Sequence, residues 1–354
     1  MRKTFGIAAS AVLMVGVLGV APATAQDDNQ VLIGYSAPDL VGAQLQIQQG
    51  LVDGATTKGW EVQTVTSNGD ANLQLEQIRD YIALGVDAIV NVPEDSAGIC
   101  VAVEEAKAAG IPFYTIDRAP TGCEINMTVL SDNFLAGQQA GQAAVDWLTA
   151  KYGEPTGTYL EITGNMGQNV AQLRGGGFHD IVDQYPNIEI VTKIGDWDAT
   201  KGVDIVRDVA SAGDLDGIYM HSDCVYTPGT LQVLGELGLL VPRDQDGHIH
   251  LSGVDGCLQT LDAIRDGTAD EASSQPIPDF GKVMVDFMEQ EFNGQTIEVP
   301  QTIEQADALW SPARLEASDI GPQLFLATTK VGPDNVDDAR LWGNIEAATA
   351  AEGE

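Results

Sequence analysis

The stretch "GVDAIVNVPEDSAGICVAVEEAKAAGIPFYTIDR", residues 85–118, decides the fold. A short apolar run, "VDAIVNV", is followed by "GICVAVEEAKAAG", which carries helical periodicity, and then by a second apolar run, "IPFYTID". Two such runs joined by a helix form a right-handed βαβ unit with parallel strands. The second strand stops at Asp117 and Arg118, a fixed anion beside a fixed cation. In an open parallel sheet, ligands bind outside the carboxyl ends of the strands. The pair is therefore either part of a ligand crevice or a surface ion pair on a loop.

The same alternation extends in both directions. "VLIGYS" precedes a helical stretch, "LVGAQLQIQQGLVDGATTKG", in which Leu45, Gly50, Leu51 and Ala55 mark the expected inward face. "EVQTVTS" and "NLQLEQIRDYIALG" complete the first half. The second half repeats the rhythm with "GTYLEIT", "AQLRGGGFHDIVDQYP", "IEIVTKIGD", "TKGVDIVRDVASAG", "DGIYMHS", "PGTLQVLGELG" and "IHLSGVD". "GVDAIVNVPED" (85–95) is echoed by "DLDGIYMHSDC" (214–224), and each is followed, after a helix, by a strand ending in Asp, Asp117 or Asp255. Two similar Rossmann-like α/β lobes with parallel sheets are expected, and about 330 residues exceed what one core usually spans.

The first 25 residues read as a secretory signal peptide: Arg2 and Lys3, an apolar run from Phe5 to Val20, and Ala23-Thr24-Ala25 as the cleavage site. That run is short for a membrane span, which needs roughly 20 apolar residues. Export implies a periplasmic, soluble mature chain. With 52 acidic and 17 basic residues the net charge is -35, spread along the chain. Such a surface repels nucleic acid and anionic membranes, so neither is expected as a partner. In an exported chain four cysteines suggest disulfides. Pairing Cys100 with Cys123 and Cys224 with Cys257 keeps each bridge within one lobe, although four cysteines admit three connectivities. There is no CxxC and the histidines are scattered, so no metal is called for, and no cofactor motif is present.

Enzyme signatures are equally sparse. GxSxG, the P-loop and HExxH are all missing. Asp117 and Asp255 could in principle form a carboxylate pair acting on a glycosidic bond, but Arg118 beside Asp117 acts to keep that carboxylate ionised. An enzyme is therefore the weaker reading.

From Val31 to Ile303 the chain resembles the periplasmic sugar-binding proteins of the ribose and galactose type, substrate receptors of ABC importers. The resemblance rests on "GVDAIVNVPEDS", "AKAAGIPFYTIDR", "SDNFLAGQQAG", "LRGGGFHD", "GDWDATKG", "DGIYMHSD", "SGVDG" and "QPIPDFGK", in family order. It implies a type I periplasmic binding protein fold with lobes joined by a three-segment hinge, crossing near Ser131-Asp132-Asn133, near Gln275-Pro276 and near Glu304. The N-terminal lobe would comprise 26–131 plus 277–304 and the C-terminal lobe 132–276 plus 305–325, leaving 326–354 as an extension. It further implies that Asp117 and Arg118 meet ligand hydroxyls from one lobe and Arg174 and Asp255 from the other. Gln275 would reach the ligand from a crossover, Ser222 would stand where relatives carry Asn, and Trp197 would supply an aromatic face. Carboxylates accept from hydroxyls and guanidinium forks donate to them, so this set suits a sugar or polyol. Where the family has Asn-Pro-Phe-Phe, this chain has "VGAQ", with Ala43 and Gln44 in place of the paired aromatics and Val41 in place of the Asn. One stacking wall is thus missing, which favours a smaller or more extended ligand. The implied partners are an ABC permease and, alternatively, a chemoreceptor or sensor kinase, with the chain itself a monomer.

Overall fold

The computed structural model describes residues 30–352, and the signal-peptide reading of residues 1–25 lies outside them. The first half runs β1 (Leu32–Ala37), α1 (Gly42–Thr57), β2 (Glu61–Thr66), α2 (Ala71–Leu84), β3 (Ala88–Asn91), α3 (Cys100–Ala109), β4 (Phe113–Ile116) and β5 (Met127–Ser131). The second runs α4 (Asn133–Tyr152), β6 (Gly157–Thr163), α5 (Asn169–Val182), β7 (Ile188–Ile194), α6 (Ala199–Ala212), β8 (Gly217–Met220), α7 (Asp223–Glu236), β9 (His250–Asp255), α8 (Leu258–Arg265) and β10 (Glu271–Ser274). Then follow α9 (Ile277–Phe292), β11 (Gln301–Ile303), β12 (Ala313–Ser318), β13 (Gly321–Leu326), β14 (Thr329–Val331) and α10 (Trp342–Glu352). None of the described helices is long and apolar enough to cross a membrane.

The strands form two sheets, ordered β11-β12-β13-β5-β4-β3-β1-β2 and β14-β10-β9-β8-β6-β7. Each contains the parallel order 2-1-3-4-5 of a doubly wound fold, so β4 and β9 are equivalent strands. Both faces of these strands are covered, so "FYTI" of β4 and "HLSGVD" of β9 are wholly buried, polar members included. Helix starts are set by local chemistry. Asp70, Asp132 and Asp198 each cap the helix that follows by accepting backbone N–H groups.

Helix α1 buries Ile47, Gly50, Leu51 and Ala55, whereas Leu45 is exposed. The expectation for Leu45 is corrected by geometry: it lies two residues from Ile47, about 200° around the helix. Helices α4 and α5 pack closely through glycine. A Cβ on Gly137 would come 2.1 Å from the carbonyl oxygen of Arg174, so the close approach that fixes the backbone of Arg174 requires glycine there.

The chain passes between sheets after β5, between β10 and α9, and between β13 and β14. The last crossing corrects the expected one near Glu304. Strand β12 pairs antiparallel with β11 and β13, and β13 lies parallel to β5, so residues 305–325 extend the first sheet instead of joining the second lobe. The expected separate extension from 326 is also corrected: β14 pairs antiparallel with β10, and α10 packs on α8. The sheets are therefore mixed, with the parallel order kept in the two central sets.

Cys100 and Cys123 are bonded, joining the start of α3 to the loop between β4 and β5. Cys224 and Cys257 are free. That overturns the expected second bridge, for a local reason: both sulfurs face Asp223 Oδ1, at 3.4 and 3.7 Å.

Candidate ligand cleft

A cavity of about 340 Å³ lies at the carboxyl ends of the central strands. Asp117, Arg118, Arg174, Trp197, Ser222, Asp255 and Gln275 all line it. The fold thus brings together the whole set singled out in the sequence, from both lobes. Five further liners carry no sequence signal of that role: Asp39, Val170, Val225, Cys224 and Ile277. Cys224 is the residue the sequence pairs with Cys257, and Gln44 stands where the family carries an aromatic.

On the first lobe, Asp117 leaves β4 with φ of 67°, a left-handed conformation that L residues rarely take. Its Oδ2 accepts from Gln44 Nε2 at 3.1 Å and lies 3.7 Å from Arg118 Nε. Arg118 also donates to the Pro93 carbonyl at 3.2 Å and lies 3.8 Å from Glu94. Its guanidinium is thereby held between two carboxylates.

The second lobe mirrors this with different supports. Asp255 ends β9 at φ 124°. It accepts hydrogen bonds from Ser222 Oγ and Gln275 Nε2, and Arg174 Nη1 lies 3.4 Å away. Arg174 Nε donates to Asn133 at 2.8 Å, and its Nη1 donates to the His221 carbonyl. Burial pushes the Asp255 carboxyl above the ordinary carboxylate range, although Arg174 opposes the shift. Beside it Asp223, wholly buried, is pushed up to about 7 by burial and then by the charge of Asp255.

Behind Arg174 stands a charged cluster. Glu161 meets His221 Nε2 at 2.9 Å, His179 Nε2 at 3.1 Å and Thr192 Oγ1 at 2.8 Å. Burial alone would raise its pKa, yet the hydrogen bonds from His179, His221 and Thr192 prevail and bring it down to about 2. The cluster fixes His221, whose carbonyl receives Arg174.

Trp197 forms one wall. Its indole N–H donates to Gln168 Oε1 at 2.6 Å, and its ring lies 5.8 Å from the Arg174 guanidinium carbon. Gly164 makes room for it, since a Cβ there would fall 1.8 Å from the ring. Val41, Gly42 and Ala43 line the cavity from the first lobe, and the lining holds no second ring. Three buried atoms of the lining, Gln44 Oε1, Arg118 Nε and Gln275 Oε1, have no hydrogen-bond partner in the protein. Two acceptors and a donor, each costly to leave unsatisfied, thus sit in the lining where a hydroxylated ligand could reach them.

Two α/β lobes enclosing a polar cavity with one aromatic wall define a small-molecule receptor of the two-lobe kind. The model of the periplasmic binding protein domain matches residues 33–296, and the chain belongs to that family. The ribose import binding protein of Bacillus subtilis is 29% identical over 280 residues, covering 78% of this chain and 87% of that protein. The galactofuranose-binding protein of Escherichia coli is 30% identical over 224 residues, 61% of this chain and 67% of that one. Among solved structures, an ABC transporter solute binding protein from Mycobacterium smegmatis with bound glycerol is 26% identical, with a TM-score of 0.72 over 87% of this chain and 96% of that one.

Proposed function

We propose that the chain is an exported, monomeric receptor that captures a monosaccharide or polyol between its lobes and presents it to the permease of an ABC importer in the periplasm. The observation that carries the reading is the convergence of Asp117, Arg118, Arg174, Asp255 and Gln275 on one cavity beside the Trp197 ring. A sugar has hydroxyls that both donate and accept around a C–H face, and this lining offers carboxylates, guanidinium groups and a single ring in matching roles. The names of the ribose and galactofuranose relatives support the ligand class. A lining with Val41 and Ala43 and with Trp197 as its single ring favours a compact or open-chain ligand over one sandwiched between two rings.

The reading is of a binder without catalysis. Asp255 is held by Ser222, Gln275 and Arg174, and Asp117 by Gln44 and Arg118. Such fixed partners support accepting hydrogen bonds rather than passing protons. A thermal-shift screen against sugars and polyols, followed by calorimetry, tests it. A cognate ligand at 100 times its Kd should stabilise by about 2.7 kcal/mol. Arg174→Ala should weaken binding by roughly 2–5 kcal/mol. Stabilisation by none of the panel, or unchanged affinity in the variant, would remove the assignment.

A further inference from the structure

Two cysteines far apart in the sequence meet because β8 and β9 are neighbours in the sheet. Cys224 lies in the first turn of α7, directly after β8, and Cys257 caps α8, directly after β9. Between them lies Asp223, fully buried at the start of α7. The Asp223 carboxylate and the two sulfurs lie within 4.8 Å of one another, the one such three-ligand group among the described residues.

Oxygen Oδ1 of Asp223 is overcrowded with donors. It receives Thr260 Oγ1 at 2.9 Å, Gly256 N at 3.1 Å, Cys224 Sγ at 3.4 Å and Cys257 Sγ at 3.7 Å. A carboxylate oxygen has about two lone pairs, so four donors exceed what it can serve. Oδ2 receives only Gly256 N, at 3.0 Å.

We propose that Asp223, Cys224 and Cys257 form a site for a thiophilic divalent cation in the wall of the ligand cavity. A tetrahedral zinc ion has Zn–S of about 2.3 Å and Zn–O of about 2.1 Å, which sets the S···O edge at about 3.6 Å. The two observed S···O distances, 3.4 and 3.7 Å, bracket that edge. Two thiolates and one carboxylate make a soft-leaning donor set of the kind that selects zinc-like ions over magnesium or calcium. On binding, the ion takes the place of both S–H protons, which leave to solvent. Thr260 and Gly256 then remain on the carboxylate as the outer hydrogen bonds that orient a ligating group. Cys224 also lines the sugar cavity, so the ion would sit within reach of the captured ligand. The sequence showed no such site because its members are separated by a strand and a helix and share no ligand spacing.

The test uses the mature chain, reduced and stripped of metal. Titration with Cd2+ should give saturable uptake of one ion, read as thiolate-to-cadmium absorption in the ultraviolet, and Zn2+ should displace it. Cys224→Ser and Cys257→Ser should each weaken uptake at least 10-fold, and Asp223→Asn should do the same. Should a variant fail to fold, alkylation of the wild-type protein decides: Zn2+ should slow modification of Cys224 at least 10-fold. Absence of saturable uptake, uptake unchanged in the variants, or an alkylation rate indifferent to Zn2+ would overturn the site. Sugar binding is measured separately, so failure here leaves the receptor reading standing.

Discussion

Asp117 and Asp255 occupy the same place in the two halves of the molecule, at the carboxyl ends of β4 and β9, and both are held at positive φ, 67° and 124°. Their shared distortion turns the chain off the strand at the point where the carboxylate enters the cavity. A left-handed conformation costs an L residue roughly 1–2 kcal/mol, and backbone strain of this kind gathers at functional sites. Geometry at the two strand ends is thus maintained against local preference.

That strain separates two substitutions. Asp117→Gly and Asp117→Ala both remove the carboxylate that Gln44 and Arg118 face, so both should lose ligand binding. Only glycine relieves the positive φ. The glycine variant should therefore be more stable than the alanine variant by about 1 kcal/mol, read by chemical denaturation. Equal stability would show that position 117 is unstrained.

Asp255 is also supported from the far end of the chain. The buried Trp342 indole donates to its carbonyl at 2.6 Å, and Gly343 permits close contact, because a Cβ there would lie 2.7 Å from backbone atoms of Cys257 and Leu258. Trp342→Phe keeps an aromatic ring but deletes the hydrogen bond and leaves a small cavity at a buried position. A loss of at least about 1 kcal/mol in stability is expected, together with several-fold weaker ligand binding by calorimetry. Unchanged affinity would reduce α10 to a cover for α8.

Much of the cleft was legible in the sequence because its residues sit at strand ends, where a hydrophobic run stops abruptly on a charge. Asp117, Arg118 and Asp255 are all of this type. Less legible were contacts made across distance. Nothing local in residues 305–325 says that β13 will pair with β5, since a strand's preference is set by packing against partners that lie elsewhere in the chain. The two thiols near Asp223 were misassigned for the same reason: sequence counts cysteines, whereas sheet order decides what each one faces. Leu45 failed for a different cause, as an apolar residue placed on the wrong side of a correctly assigned helix.

The Glu161 cluster predicts a pH dependence. The hydrogen bond to Glu161, opposed by burial and aided by Asp183, raises the pKa of His179 to about 9. A histidine raised in the folded state contributes stability that is complete below its unfolded value of about 6.5 and disappears as pH rises through 9. Glu161, lowered to about 2, contributes above its unfolded value of about 4.5 and loses that contribution as pH falls through 2. The pair is one interaction seen from two sides. His179 is 37% exposed at its side chain, so solvent screening reduces the effect. The difference in stability between wild type and His179→Gln should therefore be largest between pH 4.5 and 6.5 and shrink toward pH 9. A difference independent of pH would exclude a charged His179–Glu161 pair.

The rim of the cleft carries direct bonds between lobes, and these make closure testable. Gln168 Nε2 donates to the Glu94 carbonyl at 3.1 Å, Asn169 N to Ser96 Oγ at 3.1 Å, and Ala119 N to Asn169 Oδ1 at 2.9 Å. Gln168 in turn holds the Trp197 indole, so opening the lobes would release the other end of the amide that steadies the ring. A ligand that bridges Asp117 and Arg118 on one side to Arg174 and Asp255 on the other favours the state in which all four act together. Bending is expected at the three crossovers, where short segments absorb the change in dihedral angles. Solution scattering should show a smaller radius of gyration on adding cognate ligand, and tryptophan emission should change in the wild type but not in Trp197→Phe. Asn169→Ala lies outside the cavity lining and removes one rim bond, so it should weaken binding by about 1 kcal/mol while leaving the liganded radius unchanged. A ligand that binds tightly without altering the scattering curve would mean that the lobes do not move, and the rim bonds would then be permanent fixtures of the fold.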